Sequence, residues 1–478
     1  MINFANYVIE KSQAYPEKIA MRDGKNDMTY AQLAVRIKQM AIALTRQGLG
    51  AGDHVIITME DCVDWPVAFL ACLYLGIVPL PLSTVMGRDL FWQLHKFIDC
   101  KLIITGNEQA KDLVNQTISR EQMQQFFLGP SDCEPRMMHP DSAAWMNVSS
   151  GSTGVPKIAV HRHQTLFEML RMSPWPSFSM TANSTILSTP KMSWNYGLQN
   201  SVTCTLGLGA TAIVISGPPA APTIFEYLDR YRPEIVISTT SVIRRLLSAS
   251  NKYLLPDSIK HFNCSSEHLP APMYDEFLQR FKLPLHSCIG MMETTGNYAA
   301  NPDWEHDRGT VGKPFDGVEI KLVDDEIYVS SPANACYYYN NYEKTRATFV
   351  GRWVRTGDSG YFNERGNLVF AGRVDDVFKV NDLIVNPIEI EVEIMSFPAV
   401  ENAAVSGVIN SIGIKEVHAF VIARHEFRIE DLKLFLVDKL FPHQIPKHIH
   451  LVEQFPETMT NKKDRRTLAK EFHIGKTL

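Results

Sequence analysis

The chain has 478 residues, with 47 lysines and arginines against 52 aspartates and glutamates for a net charge of −5, and 45% hydrophobic and 21% charged residues. A single core stops growing near ~250–300 residues, so more than one domain is expected. The acidic balance gives no electrostatic support for nucleic-acid binding, and eight cysteines scattered from Cys62 to Cys336 without a Cys-x-x-Cys pair read as reduced cytosolic thiols, not as a disulfide framework or a zinc site.

In chain order, the residues from Phe4 to Ser12 suggest a helix, with Glu10 and Lys11 arriving before any long apolar run, so no secretory signal is visible. Asn26-Asp-Met-Thr-Tyr-Ala-Gln-Leu33 reads as a strand followed by a helix capped by Thr29 and running to about Gly48. Asp53 to Thr58 is the next strand. The most apolar segment, Val67 to Leu82, is broken by Pro79 and Pro81 and is shorter than the ~20 residues of a membrane span. It fits a buried helix leading into a strand, and no membrane span is expected. Strand-like segments at Leu102–Thr105, Ala210–Ile215 and Ile235–Ser238 alternate with helical stretches, which argues for α/β sheets covered by helices.

Between the apolar segments Ala143–Met146 and Ile158–Val160 lies Asn147-Val-Ser-Ser-Gly-Ser-Thr-Gly-Val-Pro-Lys157. Glycines admit positive φ, successive N–H groups in such a turn converge on an anion, and Lys157 adds a positive charge. That is the chemistry of a polyphosphate loop. It is not a Walker A loop, because Val155 and Pro156 separate Gly154 from Lys157. The plainer reading is a polar surface hairpin. A mixed stretch from His161 onward has helical character.

Downstream come Lys191-Met-Ser-Trp-Asn-Tyr-Gly-Leu198, Asn263-Cys-Ser-Ser-Glu-His-Leu-Pro270 and Cys288-Ile-Gly-Met-Met-Glu-Thr-Thr295. Trp353-Val-Arg-Thr-Gly-Asp-Ser-Gly-Tyr361 and Ala371-Gly-Arg-Val-Asp-Asp-Val-Phe-Lys379 follow. Taken singly, these are core aromatics, solvated carboxylates and Asp-Gly turns. Asn386-Pro-Ile-Glu-Ile-Glu391 suits a helix start with Pro387 in its first turn. Strand-like segments Ala403–Val408 and Val417–Ala423 precede a helix around Glu430–Leu440 and the basic stretch Phe455-Pro-Glu-Thr-Met-Thr-Asn-Lys-Lys-Asp-Arg-Arg466.

In this order the motifs resemble those of the adenylate-forming superfamily, which includes acyl- and aryl-CoA ligases, luciferases and the adenylation domains of peptide synthetases. The resemblance covers the chain from about Thr29 to Arg466. It implies an α/β fold, with a large N-terminal domain of helix-covered sheets plus a β-barrel-like subdomain (residues 1–374) and a small mobile α+β C-terminal domain (residues 375–478) hinged at Asp375. It implies ATP-dependent activation of a carboxylic acid to acyl-AMP with release of pyrophosphate, then transfer to a thiol. ATP, Mg²⁺ and CoA, or a carrier protein's phosphopantetheine, are the implied cofactors, and the implied location is cytoplasmic.

By resemblance, Ser149, Ser150, Gly151, Ser152, Thr153, Gly154 and Lys157 hold the phosphates, and Ser265, Ser266 and Glu267 cradle adenine, with Ser266 where glycine is common. Asp358 takes the ribose hydroxyls, Arg373 grips ribose and phosphate, and Glu293 is the Mg²⁺ acid. Lys462 is the adenylation lysine, although the adjacent Lys463 leaves the register open by one. Trp194, Asn195, Tyr196, Gly290, Met291 and Gly296 line the acid pocket. The pattern is closest to benzoate-CoA ligases, and no aspartate stands at the Trp194–Tyr196 position to hold an amino-acid ammonium. Gly296 replaces a histidine common in benzoate-type relatives, which implies a roomier pocket or a substituted ring. Three departures mark the chain: Met292 for a phosphate-binding threonine, Asn461 for glycine, and Asp382 for a glycine beside the thiol channel. Asp382 favours an alternative acceptor, an acyl carrier protein, whose phosphopantetheine arm enters without a nucleotide head. Met292 and Asn461 support a second alternative, a degenerate non-catalytic nucleotide-binding protein.

Overall fold

The computed structural model describes residues 1–106, 116–149, 157–172, 180–301, 307–380, 383–410, 414–456 and 463–473. The first helix is Phe4–Ser12, its N-terminus capped by the Asn3 side chain, which accepts from the Asn6 N–H at 3.0 Å. The helix Tyr30–Arg46 opens on a reciprocal cap between Thr29 and Gln32. Its buried Tyr30, Leu33, Ile37, Met40, Ala41 and Leu44 follow helical spacing and form one stripe. The apolar segment resolves into the helix Trp65–Leu75, buried nearly all round, and the strand Val78–Pro81. Among the described residues no helix is long and apolar enough to cross a membrane.

The central sheet has nine strands. Six neighbours run parallel in the order Ile19–Arg22, Thr211–Val214, Thr185–Ser188, Ile235–Thr239, His261–Ser265 and Leu285–Met291. These strands are buried almost continuously, as parallel strands covered on both faces must be. Antiparallel strands extend both edges: Asp27–Thr29 at one, Gly296–Ala300 and Lys313–Pro314 at the other. A second parallel sheet joins Val78–Pro81, His54–Thr58, Leu102–Thr105 and Thr117–Ser119. An antiparallel sheet of three carries Ala143–Ser149, Lys157–Arg162 and Tyr337–Tyr338. A further antiparallel sheet of five includes Glu319–Val323, Glu326–Ser330, Trp353–Phe362 and Leu368–Arg373.

The C-terminal part has its own core, in which Val417, Ala419 and Val421 pack against Ile390, Ile394, Leu432 and Leu436, the mark of a separate folding unit. Its sheet pairs Val400–Ile409 with Lys415–Ala423 antiparallel and adds His448–Leu451 in parallel. Arg424 ties it to the large domain through a bidentate pair with Glu276, at 2.7 and 3.2 Å. The mixed α/β architecture of a large and a small domain is the one expected.

Three local differences have physical causes. The strand at Lys157 runs on to Arg162, because His161 pairs with Trp145 and stacks on its ring at 4.4 Å, so the helix begins at His163. The helix near Glu430 is Ile429–Val437, and Leu440 reaches the same core from beyond its end. The segment after Tyr196 contains a π-helical turn, Gln199–Thr203, all five residues of which are buried. Such turns interrupt α-helices most often at functional sites.

Candidate active site

Ligands of open α/β sheets gather at the carboxyl ends of the strands. Here those ends carry Ser265, Gly290 and Met291. Ser149 and Lys157 face each other in register across an antiparallel pair, so they are the two posts of the loop between them. Ser150, Gly151, Ser152, Thr153 and Gly154 lie outside the described residues, as do Asp382, Asn461 and Lys462.

The Lys157 ammonium sits 5.7 Å from the centre of the Tyr338 ring. The Tyr338 hydroxyl donates to Glu293 Oε1, and Glu293, only 5% exposed, is anchored by its own carbonyl, which accepts from the Ala335 N–H at 2.8 Å. Burial pushes Lys157 below the usual lysine range, Lys344 adds to that, and the Glu293 carboxylate opposes it. Burial and the Glu293 charge push Tyr338 far up, so it stays protonated as a donor.

Asp358 and Arg373 are register partners on adjacent strands, joined at 2.7 Å, and Arg373 also donates to the Thr356 carbonyl at 3.0 Å. Tyr298, wholly buried, feels the Asp358 charge, and its hydroxyl has no partner among the described residues. Asp375 stands in a single 3₁₀ turn, Val374–Asp376, directly after Arg373.

At the adenine-loop position the Ser265 hydroxyl lies 3.1 Å from the Cys288 carbonyl and 3.0 Å from Asn297 Oδ1. Ser266 has φ +84°, the left-handed conformation that explains why glycine suits this place. The Glu267 carbonyl accepts from the Thr240 hydroxyl at 3.0 Å.

Trp194 precedes the short helix Asn195–Leu198. Tyr196 donates to Asn263 Oδ1, while both amide atoms of Asn195 are shielded from solvent and lack a partner among the described residues. Gly290 is packed so closely on the next strand that a Cβ there would lie 2.3 Å from the Gly296 carbonyl oxygen. The expectation of extra room at Gly296 is corrected: Gln199, from the π turn, fills the space, and a Cβ on Gly296 would lie 2.1 Å from its Oε1. Gly296 also has φ +104°. Gly296→Ala is expected to lower stability by ~1–3 kcal/mol through overpacking, read as a lower Tm, with partial recovery when Gln199→Ala is added. An unchanged Tm in the single variant would show that Gln199 moves aside freely.

Met292 packs on the small apolar cluster of Ala159, Ala335 and Tyr338. Thr294 offers no replacement hydroxyl at the Met292 position: its Oγ lies 3.2 Å from the Met291 carbonyl and 3.0 Å from that of Gly296. Sequence reasoning missed Tyr338, Tyr298 and Gln199. The run Tyr337-Tyr-Tyr339 was the available signal for the first, since buried tyrosine hydroxyls usually have a polar partner.

A cation over an aromatic ring, a buried carboxylate beside it and an Asp–Arg pair with an unpartnered hydroxyl nearby suit a nucleoside triphosphate held by its phosphates and ribose. Together with the two-domain layout, they define the adenylate-forming class of enzymes. The chain belongs to the AMP-binding enzyme family, whose model matches residues 8–339, and the model of the AMP-binding enzyme C-terminal domain matches residues 389–462. It is 29% identical to a benzoate–CoA ligase of Thauera aromatica, over 93% of this chain and 90% of that protein. It is 28% identical to a 4-hydroxybenzoate–CoA/benzoate–CoA ligase of Rhodopseudomonas palustris, over 96% of this chain and 91% of that protein. Among solved structures, a benzoate CoA ligase from Burkholderia xenovorans superposes with a TM-score of 0.91 at 29% identity, covering 98% of this chain and all of that one.

Proposed function

We propose that the protein is an AMP-forming ligase that activates a benzoate-like aromatic acid and transfers it to CoA. The observation that carries this reading is the convergence of Lys157, Tyr338 and Glu293 beside the Arg373–Asp358 pair. The benzoate–CoA ligase relatives supply the acid class.

The acid's carboxylate attacks the α-phosphorus of ATP, and the bond to pyrophosphate breaks. A thiol then attacks the acyl carbon and releases AMP. No protein nucleophile is needed; positioning and electrostatic stabilisation carry the rate. Lys157 neutralises the leaving pyrophosphate; burial pulls its pKa below the usual lysine range, and the Glu293 carboxylate works against that pull. Glu293 would hold Mg²⁺, which supplies charge neutralisation at the phosphates. Asp358 accepts from the ribose hydroxyls, and Arg373 fixes the Asp358 carboxylate. Asn195, whose amide atoms have no partner among the described residues, would bond a ring substituent or the acid itself. If Gly296 lines the acid site, the Gln199 side chain packed against it would favour a flat ring over a bulky one.

The domain division at residue 375 and rotation of the small domain about Asp375 belong to the same proposal, as does the adenylation role of Lys462. So does a cytoplasmic location, in keeping with the eight free cysteines. Incubating the full chain with Mg·ATP, CoA and pooled benzoates, hydroxybenzoates, cinnamates and short fatty acids should yield an aryl-CoA thioester by mass spectrometry. Aryl-AMP without a thioester would instead select an acyl carrier protein as acceptor. No acid-dependent product at all would select the non-catalytic reading.

A further inference from the structure

On the small domain, the strands Lys415–Ala423 and His448–Leu451 run parallel with His418 opposite His448 and Phe420 opposite His450. Side chains two apart on a strand share a face, so Glu416, His418, His448 and His450 gather on one face of the sheet. The ligand atoms of Glu416, His418 and His448 all lie within 4.8 Å of one another. Glu416 Oε2 and His448 Nε2 are 3.4 Å apart. Two ligands of a tetrahedral ion with bonds of ~2.0–2.1 Å stand ~3.3–3.4 Å apart, so this pair already has the required spacing.

We propose that Glu416, His418 and His448 form a binding site for a divalent transition-metal ion of the Zn²⁺ class. The donor set, two imidazoles and one carboxylate, suits ions of borderline softness over Mg²⁺ or Ca²⁺, which take oxygen. His418 Nδ1 is 3.0 Å from His450 Nε2. That contact leaves His418 Nε2 for the metal and casts His450 as the partner that fixes the ring, as metal-bound histidines commonly require. Glu416 is held on its other oxygen, Oε1, by Asn410 at 2.6 Å and by the Lys447 ammonium at 2.5 Å. Those bonds orient the carboxylate, while the lysine charge works against the cation. A bound ion would staple the strand His448–Leu451 to its neighbour.

The test is titration of the full chain, stripped by chelator, with Co²⁺ and then Zn²⁺, read by visible absorption and by Tm. One Co²⁺ per chain is expected, with a tetrahedral visible band and no thiolate charge-transfer band, displaced by Zn²⁺ with a rise in Tm. His448→Ala, at an exposed position, should abolish the band while far-UV circular dichroism is unchanged. His450→Ala should weaken binding ~10–100-fold, and Lys447→Met should tighten it. A thiolate band, or stoichiometric binding that survives both His448→Ala and Glu416→Gln, would place the ion elsewhere and overturn the proposal, as would no binding at micromolar metal.

Discussion

Lys462→Ala leaves a folded protein in which acid-dependent adenylate formation falls by ~10²–10³-fold, the usual loss when one transition-state charge partner is removed. Lys463→Ala behaves oppositely: it lowers Tm and leaves the turnover of the surviving folded protein within a few-fold. The two lysines are adjacent, and the basic motif alone does not choose between them. The structure spends Lys463 on the scaffold. Its ammonium donates to the Ala403 carbonyl at 2.6 Å and stands 3.9 Å from Glu391 Oε2. Glu391 is buried, and Arg465 grips it with two nitrogens at 2.9 and 2.7 Å. Burial pushes Lys463 down to about 8 against the pull of Glu391, the signature of a lysine tied into the interior. Removing it leaves a buried carbonyl unpartnered, at a cost of ~1–3 kcal/mol. Lys462, whose placement lies outside the described residues, is then the lysine proposed for catalysis. Thermal melts and ATP–pyrophosphate exchange on the two variants separate the roles. Loss of exchange in Lys463→Ala with an unchanged Tm would reverse the assignment.

Glu293→Gln is expected to cut turnover by a comparable ~10²–10³-fold and to flatten its dependence on Mg²⁺ concentration. The substitution is chosen because a glutamine carbonyl still accepts from the Tyr338 hydroxyl, so the fold is retained. What it removes is the negative charge that faces Lys157 and that would also hold the metal ion. Tyr338→Phe should be milder, near the ~1.5–3 kcal/mol of one hydrogen bond to a charged group. The measurement is the initial rate as a function of free Mg²⁺. A Glu293→Gln enzyme with the original Mg²⁺ curve would remove Glu293 from the metal site.

Much of the scaffold was legible in the chain, because its signals are local. The Thr29–Gln32 cap, the apolar stripe of Tyr30–Arg46 and the all-apolar helix before Pro79 each depend on neighbours a few residues away. The expectation of a large and a small domain came from the resemblance that the motifs carry together. The interior of the site was less legible, because its contacts join distant residues. The Tyr338–Glu293 bond spans 45 residues and closes only when two different sheets meet. Gln199 reaches Gly296 across 97 positions by way of a π turn that no periodicity announces. The glycine at 296 therefore suggested space where the fold supplies a side chain. The tie of Lys463 to the Ala403 carbonyl and Glu391 is likewise a property of the folded small domain, which the basic motif does not announce. Ser266 was readable as a departure, and its φ shows that the backbone keeps the glycine-like turn in spite of the side chain.

Direct attack of an aromatic carboxylate on the α-phosphorus is the step on which the proposed activity rests. It is tested most directly with benzoate carrying heavy oxygen in both carboxyl positions, followed by mass spectrometry of the AMP released in the presence of CoA. Direct attack leaves one heavy oxygen in AMP and one in the thioester carbonyl. AMP without label, or label recovered in inorganic phosphate, would contradict it.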